Sequence, residues 1–424
     1  NNPSPRLSLL DTRKYHARMA KTFGDELPEL LLRATDEMVD IRHDLHAHPE
    51  LAFDEHRTTQ VIRDRLVALG WELAPCPTST GAVAVLRGRR PGNRIMLRAD
   101  IDGLPVFEEG SSRFASVNEG LMHACGHDVH TAALLGVADI LAQRRDQLCG
   151  EFTLLFQPAE EGLGGARAMI EGGVLRDHPA DFLLGAHVTS LAPLGLVGTR
   201  AGILMSDAQA LSVHVKGKGG HGAMASTEGN VVLAISALAP RLGEVVRDLS
   251  YEGTNCACSA GVIHAGTANN VVPRSALLRG TLRTFTPEQR VESLARLDAL
   301  LRDVSDTFAV ECALELGEGT PAVRNDPDVT RRVVDSATRV VGAANVLSFP
   351  PTSPSDDVAE FLNHVPGCYM FVGGAKSDGS SGMHHSPDFS VDDASCASVA
   401  SVLVQCAVDL AADEKSLAAP RSGA

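Results

Sequence analysis

Residues 286–304, TPEQRVESLARLDALLRDV, decide how the chain is divided. Thr286 reads as a helix N-cap, Pro287 as the first helical residue and Gln289 as the capping-box partner, which together satisfy the free amides of a helix start. Behind them Val291, Leu294, Leu297, Leu301 and Val304 recur at helical spacing and make one apolar stripe. Two strand-like runs in succession, 256–264 and 276–284, precede this helix. Before those come an alternating run at 209–215 and a helical stretch at 230–249, and a strand-like run at 310–316 follows the helix. The order β-α-β-β-α-β is the split βαβ pattern of a small α+β sandwich.

Outside this block the pattern changes. Leu31, Ala34, Met38, Ile41 and Leu45 predict a helix from residue 29 that Pro49 ends, and Val61, Leu66 and Leu69 predict a second one closed by Gly70. Short apolar runs at 82–86, 95–98, 152–156 and 182–186 read as strands, with helices at 131–144 and 166–171 between them. The same alternation resumes late in the chain with a helix at 327–341, a strand at 368–372 and a helix at 393–412. Strands alternating with helices predict an α/β sheet covered on both faces. The expected fold is therefore α/β: a discontinuous larger domain, 1–206 and 317–424, with a smaller α+β domain, 207–316, inserted. The first 27 residues, closed by Pro28, read as a loose extension with a short helix.

Composition narrows the function. The chain has 424 residues, and its 38 basic against 53 acidic side chains give a formal charge of −15, which opposes a nucleic-acid partner. A 44% apolar content supports real cores. The longest apolar stretches, around 231–239 and 399–408, are broken by Ser or Gln, so no membrane span is expected. The nine cysteines are odd in number and scattered, and Cys256 and Cys258 form C-x-C, not C-x-x-C. Together with a start, Asn1 to Leu10, that lacks the layout of a signal peptide, this favours a reducing cytoplasm.

Four segments carry chemistry. Met122-His123-Ala124-Cys125-Gly126-His127-Asp128 places a thiol and an imidazole two residues apart beside a glycine that permits a tight turn, and both are good ligands for a borderline divalent metal. Gln157-Pro158-Ala159-Glu160-Glu161 follows an apolar strand, where α/β sheets place their sites. Side chains of adjacent residues diverge, so one carboxylate can hold a metal while the other faces water. Gly185-Ala186-His187 ends another apolar run, and Met383-His384-His385-Ser386-Pro387 comes some 200 residues later.

These motifs, with RHDLHAHPELAFDE at 42–55 and RADIDGLP at 98–105, resemble the metallo-amidohydrolases of peptidase family M20, in the branch of aminoacylases, hippurate hydrolases and hydrolases of indole-acetyl amino acids. The resemblance runs from about Ile41 to the last helix and leaves the first 40 residues outside it. It implies two divalent metals per subunit, Mn²⁺ or Zn²⁺, held in the larger domain by Cys125, His127, Glu161, His187 and His385. The last is chosen over His384 because it directly precedes Ser-Pro. Asp102 would orient a ligand imidazole. His43, His46 and His48 are taken as structural or pocket-edge residues. Glu160 would take a proton from the attacking water and return it to the leaving nitrogen.

The resemblance also makes the inserted domain a lid that forms a homodimer, or a higher oligomer built from it. Gly219-Gly220-His221-Gly222 resembles the motif whose His stabilises the developing oxyanion in the partner's site. Asn270 and Arg283 would bind a small-molecule substrate, the arginine by gripping a carboxylate. Two departures bear on substrate identity: the residues after His221 read Ala223-Met224-Ala225-Ser226-Thr227-Glu228, and Pro354-Ser355-Asp356-Asp357 replaces the usual Glu-Asp-aromatic. The expected activity is hydrolysis of the amide of a small N-acyl or aryl-acyl amino acid. Hydrolytic deamination of a carboxylate-bearing aromatic amine and a non-catalytic metal-stabilised binding protein are the alternatives.

Overall fold

The computed structural model describes residues 9–413 except 111 and 163, with side chains from residue 25 onward. Helix α1 (Leu9–Ala47) leads to α2 (His56–Ala68), β1 (Glu72–Ala74), β2 (Ala82–Arg87), β3 (Arg90–Asp100), α3 (His127–Gln143), β4 (Cys149–Gln157), α4 (Gly165–Glu171), β5 (Phe182–Pro193) and β6 (Val197–Thr199). Next come β7 (Ala208–Lys216), α5 (Val231–Leu238), β8 (Ala257–Ala265), β9 (Ser275–Arg283), α6 (Pro287–Phe308) and β10 (Glu311–Thr320). The chain closes with α7 (Pro327–Val341), β11 (Val346–Ser348), β12 (Gly367–Ala375) and α8 (Ser395–Ala412).

The chain forms two compact units, and the mixed α/β class is as expected. Among the described residues, one unit comprises 9–202, 325–349 and 360–413, the other Ile203–Arg324 and Pro350–Ala359. The first is built on an eight-stranded sheet in the order β1-β2-β4-β3-β5-β12-β6-β11. Its centre is parallel, with β3 paired to β4 and β5, and β12 paired to β5. Such strands bury both faces, and residues 95–100 of β3 are all buried. On one face Ile95, Leu97 and Ala99 join the core; on the other Arg98 and Asp100 stand two residues apart and pair at 2.6 Å. Breaking such a fully buried pair costs about 3–5 kcal/mol.

Helix α8 is apolar enough over its 18 residues to pass for a membrane span, with a mean hydropathy of 1.6, but 78% of it is buried within the protein. It serves as a core helix: Cys396, Val399, Ala400, Leu403, Val404 and Ala407 all belong to the first unit's apolar cluster.

The second unit holds a four-stranded antiparallel sheet in the order β8-β9-β7-β10. Strand β7 alternates buried and exposed residues along its length, as a sheet with one covered face requires. Helix α6 starts with the expected capping box, both hydrogen bonds being present between Thr286 and Gln289. Leu297, Leu301 and Val304 of its stripe are buried, whereas Val291 is 70% exposed.

Two expectations are corrected. Pro28 does not close an extension: α1 runs through it without a break from Leu9 to Ala47. A proline inside a helix costs about 3 kcal/mol, and burial of Leu27, Leu30, Ala34 and Met38 along one face offsets it. The single helix expected at 230–249 is instead α5, a 3₁₀ turn at Ala239–Arg241 and one further turn at Leu242–Val245. Pro240 interrupts it, because its nitrogen cannot donate to the preceding turn.

Candidate metal centre

The centre lies at the carboxyl ends of β3 and β4, beside β5, in the first unit. Gly126 caps α3 in the left-handed region at φ +93°, and a Cβ there would meet Val188 Cγ1 at 2.5 Å. Only glycine makes this turn, and the turn directs Cys125 and His127 to one place. His127, the first residue of α3, donates from Nδ1 to the Asp102 carbonyl at 3.0 Å and to Asp102 Oδ1 at 3.3 Å. Its Nε2 is left buried and without a hydrogen-bond partner.

His187 is presented in the same way. Its Nδ1 donates to the Val188 carbonyl at 2.6 Å, leaving Nε2 at 3.4 Å from Cys125 Sγ. His384 differs. Its Nε2 accepts the Ser190 N–H at 3.3 Å, so its Nδ1 carries the proton that faces Cys125 Sγ at 3.8 Å. The neighbouring His385, in the left-handed region at φ +65°, brings Nε2 to 3.2 Å from Glu161 Oε1. Of the two histidines, His385 directs Nε2 at the carboxylate of Glu161, while His384 has Nε2 engaged by a main-chain amide.

Cys125, His127 and His187 form one cluster of potential ligands, Cys125, Glu161 and His385 a second, and His127, Glu160 and Glu161 a third, with the ligand atoms of each within 4.8 Å of one another. Cys125 belongs to the first two clusters. Buried polar atoms without a hydrogen-bond partner are costly, and Glu161 Oε1 and His127 Nε2 both lack one. Sulfur, imidazole nitrogen and carboxylate oxygen converging on orphaned atoms fit borderline divalent cations. Burial pushes the Cys125 thiol up and the His187 imidazole down. The neighbouring Cys125 and Glu161 hold His385 up at about 10.

Residues 96–409 match the model of peptidase family M20/M25/M40. The chain belongs to that family. This M20 chain is 35% identical over 357 residues to the N-acetyl-L-cysteine deacetylase of Bacillus subtilis, covering 84% of each protein. It is 34% identical over 364 residues to thermostable carboxypeptidase 2 of Saccharolobus solfataricus, across 84% of this chain and 91% of the other. A solved dinuclear metal-binding peptidase of the family from Bacillus subtilis superposes with a TM-score of 0.76 at 29% identity, over 89% of this chain and 98% of that one. The M20 chain is accordingly a metal-dependent hydrolase of C–N bonds.

The structure thus brings together Cys125, His127, Glu160, Glu161, His187, His385 and Asp102. The other M20 candidates, His221, Asn270 and Arg283, lie in the second unit. There Gly220–His221 pairs with Val271–Val272, and the Gly222 N–H donates to the Asn270 carbonyl at 2.7 Å, so His221 and Asn270 are neighbours. Arg283 donates to the Ser353 carbonyl at 3.3 Å and to the Ser355 hydroxyl at 3.1 Å.

His43, His46 and His48 are engaged structurally. His43 pairs with Asp393 at 2.9 Å and stacks on Phe114, His46 pairs with Asp128 at 2.9 Å and Glu108 at 3.3 Å, and His48 donates to the Asp44 carbonyl at 2.8 Å.

Sequence reasoning missed a buried network behind the candidate ligands. Asp100 accepts from Arg98 at 2.6 Å and from His130 Nδ1 at 2.5 Å, and His130 Nε2 accepts the Val188 N–H at 2.9 Å. Both nitrogens of His130 are therefore spent, although it falls in a ligand-like cluster with Asp100 and His127. Alternation in β3, which places Arg98 and Asp100 on one face, is the signal that would have found the pair.

Proposed function

We propose that the protein hydrolyses the amide bond of a small N-acyl amino acid, releasing a carboxylic acid and an amino acid. The observation that carries this reading is the adjacent acid pair: Glu160 Oε2 and Glu161 Oε1 lie 3.9 and 4.0 Å from the orphaned His127 Nε2, and Glu161 Oε1 alone is also 3.2 Å from His385 Nε2. One carboxylate serves the ligand set and its neighbour stands beside it as a proton carrier. Bound divalent metal supplies Lewis acidity that lowers the pKa of water and polarises the amide carbonyl. Cys125, His127, Glu161, His187 and His385 would hold it. Glu160 accepts the proton of the attacking water and passes it to the amide nitrogen, an amine being a poor leaving group until protonated.

The similarity to an N-acetyl-L-cysteine deacetylase supports an acyl amino acid as substrate. In the second unit, His221 and the adjacent Asn270 are proposed to meet the developing oxyanion and the substrate, with Arg283 near its carboxylate. A homodimer through that unit is supported by its outer strand β8, where Val262 and Ile263 are exposed. A reducing compartment is consistent with nine free cysteines.

The test is turnover of acetyl-amino acids, hippurate and anthranilate-like amines with Mn²⁺ or Zn²⁺ and again with chelator. Acid release that chelator abolishes supports the proposal; ammonia from an aryl amine, or no turnover of any compound, refutes it. Glu160→Gln is expected to retain metal and lose about 10²–10⁴-fold in kcat.

A further inference from the structure

We propose that Glu55 is a positioning residue for Glu160, holding the turn that presents it; this rests on Glu160 as the proton carrier. Glu55 is fully buried just before α2. A carboxylate removed from water is costly unless its oxygens are fully engaged, and the helix start does not need this one. Glu50 caps α2 instead, accepting the N–H groups of Arg57 and Thr58 at 2.9 and 2.8 Å. The Glu55 oxygens go elsewhere: Oε2 takes the Thr80 hydroxyl at 2.6 Å and Oε1 takes the Ala159 N–H at 2.8 Å.

Ala159 occupies the left-handed region at φ +55°. A Cβ makes this conformation unfavourable, and it persists only where the surroundings enforce it. Rotation about this residue would swing Glu160 and Glu161 together. On the far side of Glu160, the Glu161 N–H donates to Asp102 Oδ2 at 2.9 Å. Two buried carboxylates therefore grip the amides on either side, Glu55 at Ala159 and Asp102 at Glu161. Asp102 also holds a ligand histidine, whereas the hydrogen bonds of the Glu55 carboxylate go to Thr80 and Ala159 and to no member of the ligand set. Its effect is thus expected in turnover rather than in metal content.

The experiment compares the full-length metal-loaded wild type with Glu55→Ala, Glu55→Asp, Glu55→Gln and each of the first two combined with Ala159→Gly. Glu55→Ala and Glu55→Asp are expected to lower kcat by ~10–100-fold, with KM within about threefold of wild type and metal content unchanged. Glu55→Gln, whose amide oxygen still accepts the Ala159 N–H, recovers most of the rate. Ala159→Gly recovers part of it in the Ala and Asp backgrounds, because glycine adopts this φ without an enforcing contact. A merely structural Glu55 would show no such rescue, and full kcat in Glu55→Asp, or a loss that glycine does not relieve, overturns the proposal. Should Glu55→Ala fail to fold, the aspartate pair decides alone. Should the wild type turn over no acyl substrate, the functional reading fails separately. Amide exchange across residues 158–162 in Glu55→Asp then decides the anchor, faster exchange supporting it and unchanged exchange refuting it.

Discussion

Asp102 holds His127 twice, the Nδ1–H lying 3.0 Å from its main-chain carbonyl and 3.3 Å from Oδ1. Because its other carboxylate oxygen takes the Glu161 N–H, one side chain sets the direction of a proposed ligand imidazole and the backbone of a proposed ligand carboxylate. An asparagine there must turn an NH₂ toward one of those two donors. Asp102→Asn is expected to weaken metal affinity by about 10–100-fold, read by competition with a chromogenic chelator. An unchanged affinity would show that the two contacts do not orient the ligands.

Metal uptake should also depend on pH in a defined direction. Burial raises Cys125, and the neighbouring Cys125 and Glu161 raise His385 to about 10, so both carry protons at neutral pH in the metal-free protein. A cation must displace those protons, and its affinity therefore rises with pH, by up to about tenfold per unit for each proton displaced. Calorimetric titration at several pH values below 9, in buffers of different ionisation enthalpy, reads both the slope and the proton release. An affinity independent of pH in that range, with no proton released, would refute this account. Chelation is expected to remove activity and lower the unfolding temperature together, since a ligand bound only by the folded state stabilises it.

How much of this was legible follows from where each contact sits along the chain. The proposed ligands were readable as candidates because chemistry at the carboxyl ends of parallel strands leaves local signatures: Cys125 and His127 flanking Gly126, the acid pair after β4, and His187 within β5. The α6 cap was readable because both partners lie within four residues. Glu55 was not, since the residue it restrains lies 104 positions away and nothing local distinguishes it from a surface carboxylate. The fate of a proline likewise depends on packing. At Pro28 the apolar face of α1 outweighs the missing hydrogen bond and the helix continues, whereas at Pro240 the helix yields to a 3₁₀ turn. The choice of His385 over His384, made from adjacency to Ser-Pro, has a physical counterpart in the Ser190 N–H that occupies His384 Nε2.

Gly165 offers a test that separates helix propensity from site geometry. It is the first residue of α4, where alanine is the better helix former by about 1 kcal/mol. Propensity alone therefore predicts that Gly165→Ala stabilises the protein and leaves activity intact. The structure predicts the opposite: a Cβ at this position would lie 1.7 Å from the Pro158 carbonyl oxygen and 2.8 Å from its carbon, both backbone atoms that no rotamer change can move. The Gly165 N–H also closes the turn by donating to the Ala159 carbonyl at 3.1 Å. The added methyl must push 158–161 away and carry Glu160 with it. Gly165→Ala is expected to cost about 1–3 kcal/mol in chemical denaturation. It should also lower kcat by ~10-fold or more. A variant as stable and as active as wild type would mean that the turn carrying Glu160 yields freely, against the clamp that Glu55 and Asp102 are argued to impose.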